Sequence, residues 1–436
     1  MEETMEGRVK RAKELSSKGE NEWMEAEAEL RKLTIEEGTT RSRVAGGNKT
    51  LAAEIAKARE EAALALADLY AQRGSSEKLT CLLEDLRPLF AVVPKAKTAK
   101  IVRAIIDAVS RIPGTTELQL KLCREQAAWA REEKRTFLRQ RIETRLASLL
   151  FATKDYPGAL ALIGTLLSEV KRLDDKLLLV DIHLLESRVH HALRNLPKSK
   201  AALTAARTAA NAIYVPPSAQ AEIDCQSGTL HAEEKDYKTA YSYFYEGFEQ
   251  LSSVDEKNAG PVLKYMLLCK IMSGNAEDVA SIVNTKAGLK YSNSGVDAMT
   301  AIAEAYKNRS LKEFQAALHK YAEDLTQDII VHNHLQSLYD KMLEQNICRL
   351  IEPYSTVEIA YIAKLIDLPI QVVESKMSQM ILDKVFCGTL DQGSGALIIY
   401  EDPEIDEAYN FAIETFQTLG NVVNSLMKRS QKIQVG

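Results

Sequence analysis

Amphipathic helical runs along the chain are interrupted at a near-fixed interval. The breaks are "RGSSEKL" at Gly74, "IPGTTEL" at Gly114, "TKDYPGAL" at Asp155, "LRNLPKSKAAL" at Asn195 and "EKDYKTAY" at Asp236. Successive breaks lie 40 or 41 residues apart, and a weaker one, "MSGNAEDV" at Gly274, follows 38 residues on. Each supplies Gly, Asn, Asp or Pro for a turn, then a small residue, then a new apolar helix. The interval holds about two helices, which predicts a helix-pair solenoid. One pair cannot bury its own apolar face, so stacking the pairs supplies the core. Such a stack presents long surfaces rather than a deep pocket.

From about Ser310 the interval fades. "SLKEFQAALHKYAEDL" and "HNHLQSLYDKMLEQNI" read as two more helices. "PYSTVEIAYIAKLIDLPIQVVESKMSQMILD", Pro353 to Asp383, reads as a helix-turn-helix. Ser355 suits an N-cap, with Glu358 completing a capping box. The turn falls at Leu368-Pro369, and Pro369 suits the first turn of a second helix running to Lys384. The one clear β pattern follows. Val385–Leu390 and Ala396–Tyr400 flank the loop Asp391-Gln392-Gly393-Ser394-Gly395 as a hairpin. "ICRLIEPY" offers a third short strand. The order helix, strand, helix, helix, hairpin is that of a winged helix.

The segment from Pro403 to about Lys432 predicts one long helix. Ile405, Tyr409, Ala412, Phe416, Leu419, Val423 and Leu426 alternate gaps of four and three, a heptad seam. The seam either folds back on the winged helix or bundles with helices of other chains. Its length and its place after the last domain favour the bundle.

Composition agrees with a mostly α chain: 436 residues with only 20 Gly and 11 Pro. The length suits two or three domains or one extended array. The net charge of -5 gives no support to phosphate binding. In the second helix of the helix-turn-helix, Glu374 and Asp383 cancel Lys376 and Lys384. Gln371 and Gln379 are its other long polar residues, and it has no arginine. The wing "CGTLDQGSG" has no cation. Base readout and phosphate neutralisation both lack their usual residues, so no nucleic acid is expected as a partner. "MEETMEGRVKRAKEL" has no apolar core of a signal peptide, and no apolar run reaches about 18 residues, so no membrane is expected either.

Catalytic patterns are missing. Cys81, Cys123, Cys225, Cys269, Cys348 and Cys387 contain no C-x-x-C pair, which favours reduced thiols over a disulfide framework or zinc site. His183, His190 and His191 lack the i, i+4 spacing of two ligands on one face, and read as helix-surface residues. His332 and His334, two apart, do not share a helix face. "RVAGGNKT", Arg43–Thr50, lacks the glycines of a phosphate loop and reads as a linker. The expectation is no enzyme, no cofactor and no metal.

A helical arm running into a winged helix resembles the PCI family, shared by the proteasome lid, the signalosome and a translation initiation scaffold. The carrying stretches are "EKRTFLRQRIETRLASL", "LPKSKAALTAARTAANAIYVPP", "DYKTAYSYFYEGFE", "LKYMLLCKIM", "KNRSLKEF", "SQMILDK" and "GTLDQGSGALIIYED". They span about Leu51 to Lys432. "RSRVAGGNKT" and "YSNSGVDAMTAIAEAY" fit less closely. The resemblance implies a right-handed helix-pair (TPR-like) solenoid, then a PCI winged helix and a long C-terminal helix. The segments are 1–50 (divergent helix and linker), 51–309 (arm), 310–402 (PCI module) and 403–436 (bundle helix and tail).

What the resemblance implies is a non-catalytic scaffold of the proteasome lid, in cytoplasm and nucleus. Its partners would be other lid PCI subunits, the lid deubiquitinase, the ATPase ring and the outer ring of the proteolytic core. A signalosome scaffold is the alternative. The strand holding Ala396, Ile398 and Tyr400 would give a neighbour's strand an open edge. The terminal seam would join a bundle of lid C-termini.

Overall fold

The computed structural model describes residues 20–32, 34, 49–90, 95–254, 256–291, 293–326, 328–391, 393–400 and 407–434. The chain divides into two compact units, Met1–Val262 and Leu263–Gly436.

The first unit is a stack of antiparallel helices. They are α1 (Glu20–Arg31), α2 (Lys49–Gln72), α3 (Ser76–Phe90), α4 (Lys95–Ser110), α5 (Thr116–Glu132) and α6 (Thr136–Ala152). Then come α7 (Tyr156–Leu173), α8 (Lys176–Ala192), α9 (Leu196–Asn211), α10 (Pro217–Glu233), α11 (Tyr237–Val254) and α12 (Glu256–Met272), in which the division falls.

The break recurs because one backbone device recurs. Gly74, Lys154, Arg194, Lys235 and Gly274 all adopt positive φ and end a helix in the left-handed conformation, while Gly114 adopts it four residues past the end of α4. In three breaks the next residue caps the following helix. Asp155 accepts from the Gly158 N–H at 3.2 Å, Asn195 from Lys198 at 3.4 Å and Asp236 from Thr239 at 3.4 Å. Lys134 and Asp174 repeat the device midway, at the turn inside a pair.

Each helix buries the face it turns to its neighbours. One apolar core runs from Ala26 and Leu30 through Leu83, Ile105, Ile142 and Ile163 to Val189. A second cluster, holding Val180, Leu203, Ile223 and Leu230, sits under α8 to α10. Small residues set the closest approaches. A methyl added to Gly228 on α10 would stand 2.9 Å from the Phe244 ring of α11, and one on Gly247 would stand 3.0 Å from Cys225 Sγ. Ser199 of α9 donates to the Ser187 carbonyl of α8 at 2.8 Å, satisfying both in a buried setting.

The second unit holds α13 (Glu277–Val283), α14 (Lys286–Lys290), α15 (Ser294–Asn308), α16 (Leu311–Lys320), α17 (Ala322–Thr326) and α18 (Ile329–Ile351). These lead to β1 (Thr356–Glu358), α19 (Ile359–Ile366), α20 (Ile370–Leu382), β2 (Gly388–Asp391), β3 (Ala396–Ile399) and α21 (Glu407–Gln434). The sheet is antiparallel in the order β1-β3-β2. Val357, Leu397 and Leu390 stand in register across it, and Leu397 is fully buried.

Three expectations change here. No capping box forms at Ser355 and Glu358, because Thr356–Glu358 is drawn into the sheet and the helix begins at Ile359. The third strand is that segment and not "ICRLIEPY", whose first five residues complete α18. Most consequentially, the strand of Ala396 and Ile398 is central. Both its sides are paired, so the open edges belong to β1 and β2 and not to Ala396, Ile398 or Tyr400.

Candidate functional site

The winged helix closes on Ile362 and Ala363 of α19, Val373, Met377 and Met380 of α20, and Leu397. These positions follow a three-to-four spacing, so α20 commits one face to this core. Lys376 lies on its flank with its side chain 12% exposed, paired to Glu344 of α18 at 2.8 Å. The mid-helix cation is thereby consumed inside the unit. The outward face of the two helices carries large exposed apolar side chains among Lys364, Gln371, Ser375 and Gln379. Tyr361 and Leu365 stand one turn apart on α19, and Ile370 and Val372 open α20. Leu382, 81% exposed, ends it. Such a surface suits protein contact and not a phosphate backbone.

The wing is built by its own side chains. Asp391 accepts from the Gly393 N–H at 2.9 Å and from the Ser394 hydroxyl at 2.7 Å. The Ser394 and Gly393 donors hold its carboxyl below the usual carboxylate range. Gly395 takes φ +65 and turns the chain into β3. Tyr400, past the end of β3, receives a hydrogen bond from the Thr389 hydroxyl at 3.1 Å and donates its backbone N–H to Cys387 at 2.8 Å. The Tyr400 ring itself is exposed.

Helix α21 is 28 residues, about 42 Å at 1.5 Å per residue. Tyr409, Ala412, Phe416, Leu419, Val423 and Leu426 are all exposed, Phe416 at 74%. Ile405 lies outside the described residues. The seam does not fold back: every described side chain from Phe411 to Ser430 is open to solvent. The apolar surface is also broader than a seam. Ile413 and Met427 lie at its Tyr409 edge, while Val422 and Phe411 extend it about 40–60° beyond Leu426 at 100° per residue, for an apolar arc of about 200°. A strict heptad search misses these four. An apolar arc this wide fits a helix that meets more than one neighbour better than one side of a two-stranded coil.

The reactive side chains are held apart. Among the described residues no three of His, Cys, Asp and Glu are placed to hold a metal ion. The six cysteines are free. Burial pushes the Cys123 thiol up to about 11 and those of Cys225 and Cys269 to about 12. Cys81 is exposed. His183 is not a surface residue. It is buried on α8 with Nδ1 2.9 Å from Glu186. His190 and His191 are half-buried. The linker reading of Arg43–Thr50 lies outside the described residues, except that Lys49 and Thr50 open α2.

Two family profiles match the chain. The 26S proteasome regulatory subunit RPN6 N-terminal domain matches residues 5–153, taking in most of the divergent first 50, and the PCI domain matches residues 318–401. The chain is 61% identical over 380 residues to the 26S proteasome non-ATPase regulatory subunit 11 homolog of Arabidopsis thaliana, covering 87% of this chain and 91% of that protein. It is 50% identical to the 26S proteasome non-ATPase regulatory subunit 11 of Dictyostelium discoideum, covering 86% and 91%. With the 26S proteasome regulatory subunit RPN6 of Saccharomyces cerevisiae it shares 46% identity, covering 85% and 87%.

Proposed function

The chain belongs to the RPN6 family of 26S proteasome regulatory subunits, and from that membership we propose that it is a non-catalytic scaffold of the regulatory-particle lid, serving ubiquitin-dependent protein degradation. The observation that carries the reading is α21. A helix of this length with apolar side chains open around most of its circumference costs hydration free energy alone, at roughly 25 cal/mol per Å² of apolar surface, and regains it inside a bundle. Tyr409, Ala412, Phe416, Leu419, Val423 and Leu426 would face the other lid helices, with Ile405 continuing the seam. The exposed apolar side chains Tyr361, Leu365, Ile370 and Val372 of α19 and α20 would meet a neighbouring winged helix, and the exposed edge β2 would accept a strand.

In this reading residues 51–309 form the arm, 310–402 the PCI module and 403–436 the bundle helix and tail. The arm would reach the ATPase ring and the outer ring of the proteolytic core, and the lid deubiquitinase would be a neighbour rather than an activity of this chain. Cytoplasm and nucleus follow as locations. The signalosome alternative draws no support from these relatives, which carry proteasome names.

Mild affinity purification of the tagged chain, followed by mass spectrometry, tests the proposal. Recovery with the proteasome regulatory particle is expected. Recovery with a deneddylase complex, or without other lid subunits, overturns it.

A further inference from the structure

Alternate helices of the first unit, α4, α6, α8 and α10, line a groove of about 570 Å³. That is the size of an ordinary ligand site. Its charge is unlike that of the chain. Arg103, Arg141, Arg145 and Arg188 face it, against Asp181 and Glu222. A chain with net charge -5 thus gathers a local surplus of cations on one surface.

Those arginines differ in what they already hold. Arg188 of α8 binds Glu222 of α10 at 2.9 Å and stitches the two helices. Arg103 spends Nε on the Ala99 carbonyl of its own helix at 3.3 Å. Arg141 and Arg145, one turn apart on the exposed face of α6, form no ion pair among the described residues. Between the cations the lining is apolar: Leu177, Leu184, Val215 and Pro216. Leu177 is 49% exposed, and Tyr214, next in sequence to the lining, is also exposed. Guanidinium groups with unused donors grip carboxylates bidentately, while the exposed leucine asks for an apolar side chain.

We propose that this groove binds an acidic segment of a partner protein, in which carboxylates on Arg141 and Arg145 flank an apolar side chain set against Leu177 and Val215. The occupant is a carboxylate peptide and not a nucleic acid, because the lining holds two carboxylates and no aromatic ring on which a base could stack. The inference stands apart from the lid proposal, since it rests on the first unit alone.

Fluorescence anisotropy of the full chain with a fluorescein-labelled peptide of repeated Glu-Glu-Leu tests it. The peptide should bind about tenfold or more tightly than its Gln-Gln-Leu counterpart, and weaken as salt rises. Arg141→Ala with Arg145→Ala should cost about tenfold or more. Arg103→Ala should shift binding the same way, while Arg172→Ala, outside the lining, should not. All four residues are exposed, so the melting temperature should hold. Equal binding of the two peptides, no binding of the glutamate peptide, or an undiminished double variant overturns the inference. So does tighter binding of a phosphoserine peptide, which would make the ligand a phosphate.

Discussion

Lys376 and Glu344 stand 2.8 Å apart, and their pairing removes the mid-helix cation from the outer face of α20. A helix-turn-helix that reads DNA leaves its cations free for phosphates. Here the cation ties α20 to α18, and the outer surface shows Tyr361, Leu365, Ile370 and Val372 with Lys364 as the exposed cation of α19. The charge count along the sequence already spoke against DNA, and the pairing gives the physical reason.

Lys376→Ala should therefore act on stability. It strands Glu344, whose side chain is 30% exposed, without its partner. A loss of about 1–2 kcal/mol in urea denaturation is expected, less than for a fully buried pair. A short DNA duplex titrated at low salt should show no binding by either protein.

Gly228→Ala should destabilise the α10–α11 pair. The added methyl meets the Phe244 ring at 2.9 Å, and overpacking of this kind costs about 1–3 kcal/mol. Phe244→Leu in the same chain should restore part of the loss. Thermal melts of the single and double variants check this.

Asp181 predicts a pH dependence. Crowding by protein displaces water around its carboxyl even though the groove is open, and with Glu222 and Asp175 beside it and Arg141 opposing, this pushes it up from 3.8 to about 6. Between those values the folded chain holds more protons here than the unfolded one, so this group's contribution to stability falls as pH rises through the window. Asp181→Asn should gain on the wild type from about pH 4 to about pH 6 and then level off. Melting temperatures across that range check the sign, and a constant difference contradicts it.

The repeat was legible because its turns carry glycine, or an Asx cap followed by a helix. The turns within pairs were less so: Lys134 takes a left-handed conformation with neither signal, and at Asp174 the cue is only Asp175, which caps α8 from the Leu178 N–H at 3.4 Å. The hairpin was legible from Asp391 to Gly395. The pairing partner of β3 was not, because strand order is set by how β1 folds onto the sheet, and nothing in "TVE" declares it. The heptad gaps located the seam of α21. They hid Phe411 and Val422, which widen the apolar face beyond its Leu426 edge.

The central claim is that α21 serves assembly and not the fold of its own chain. Phe416→Asp with Val423→Asp tests it most directly, by the yield of regulatory subunits recovered with the tagged chain and the melting temperature of the chain alone. Both side chains are exposed, so the lone chain should melt unchanged. In a bundle the two carboxylates would be buried unpaired at several kcal/mol each, roughly, and recovery of the other subunits should collapse. Full recovery of the other subunits, or a lone chain that unfolds, would contradict the account.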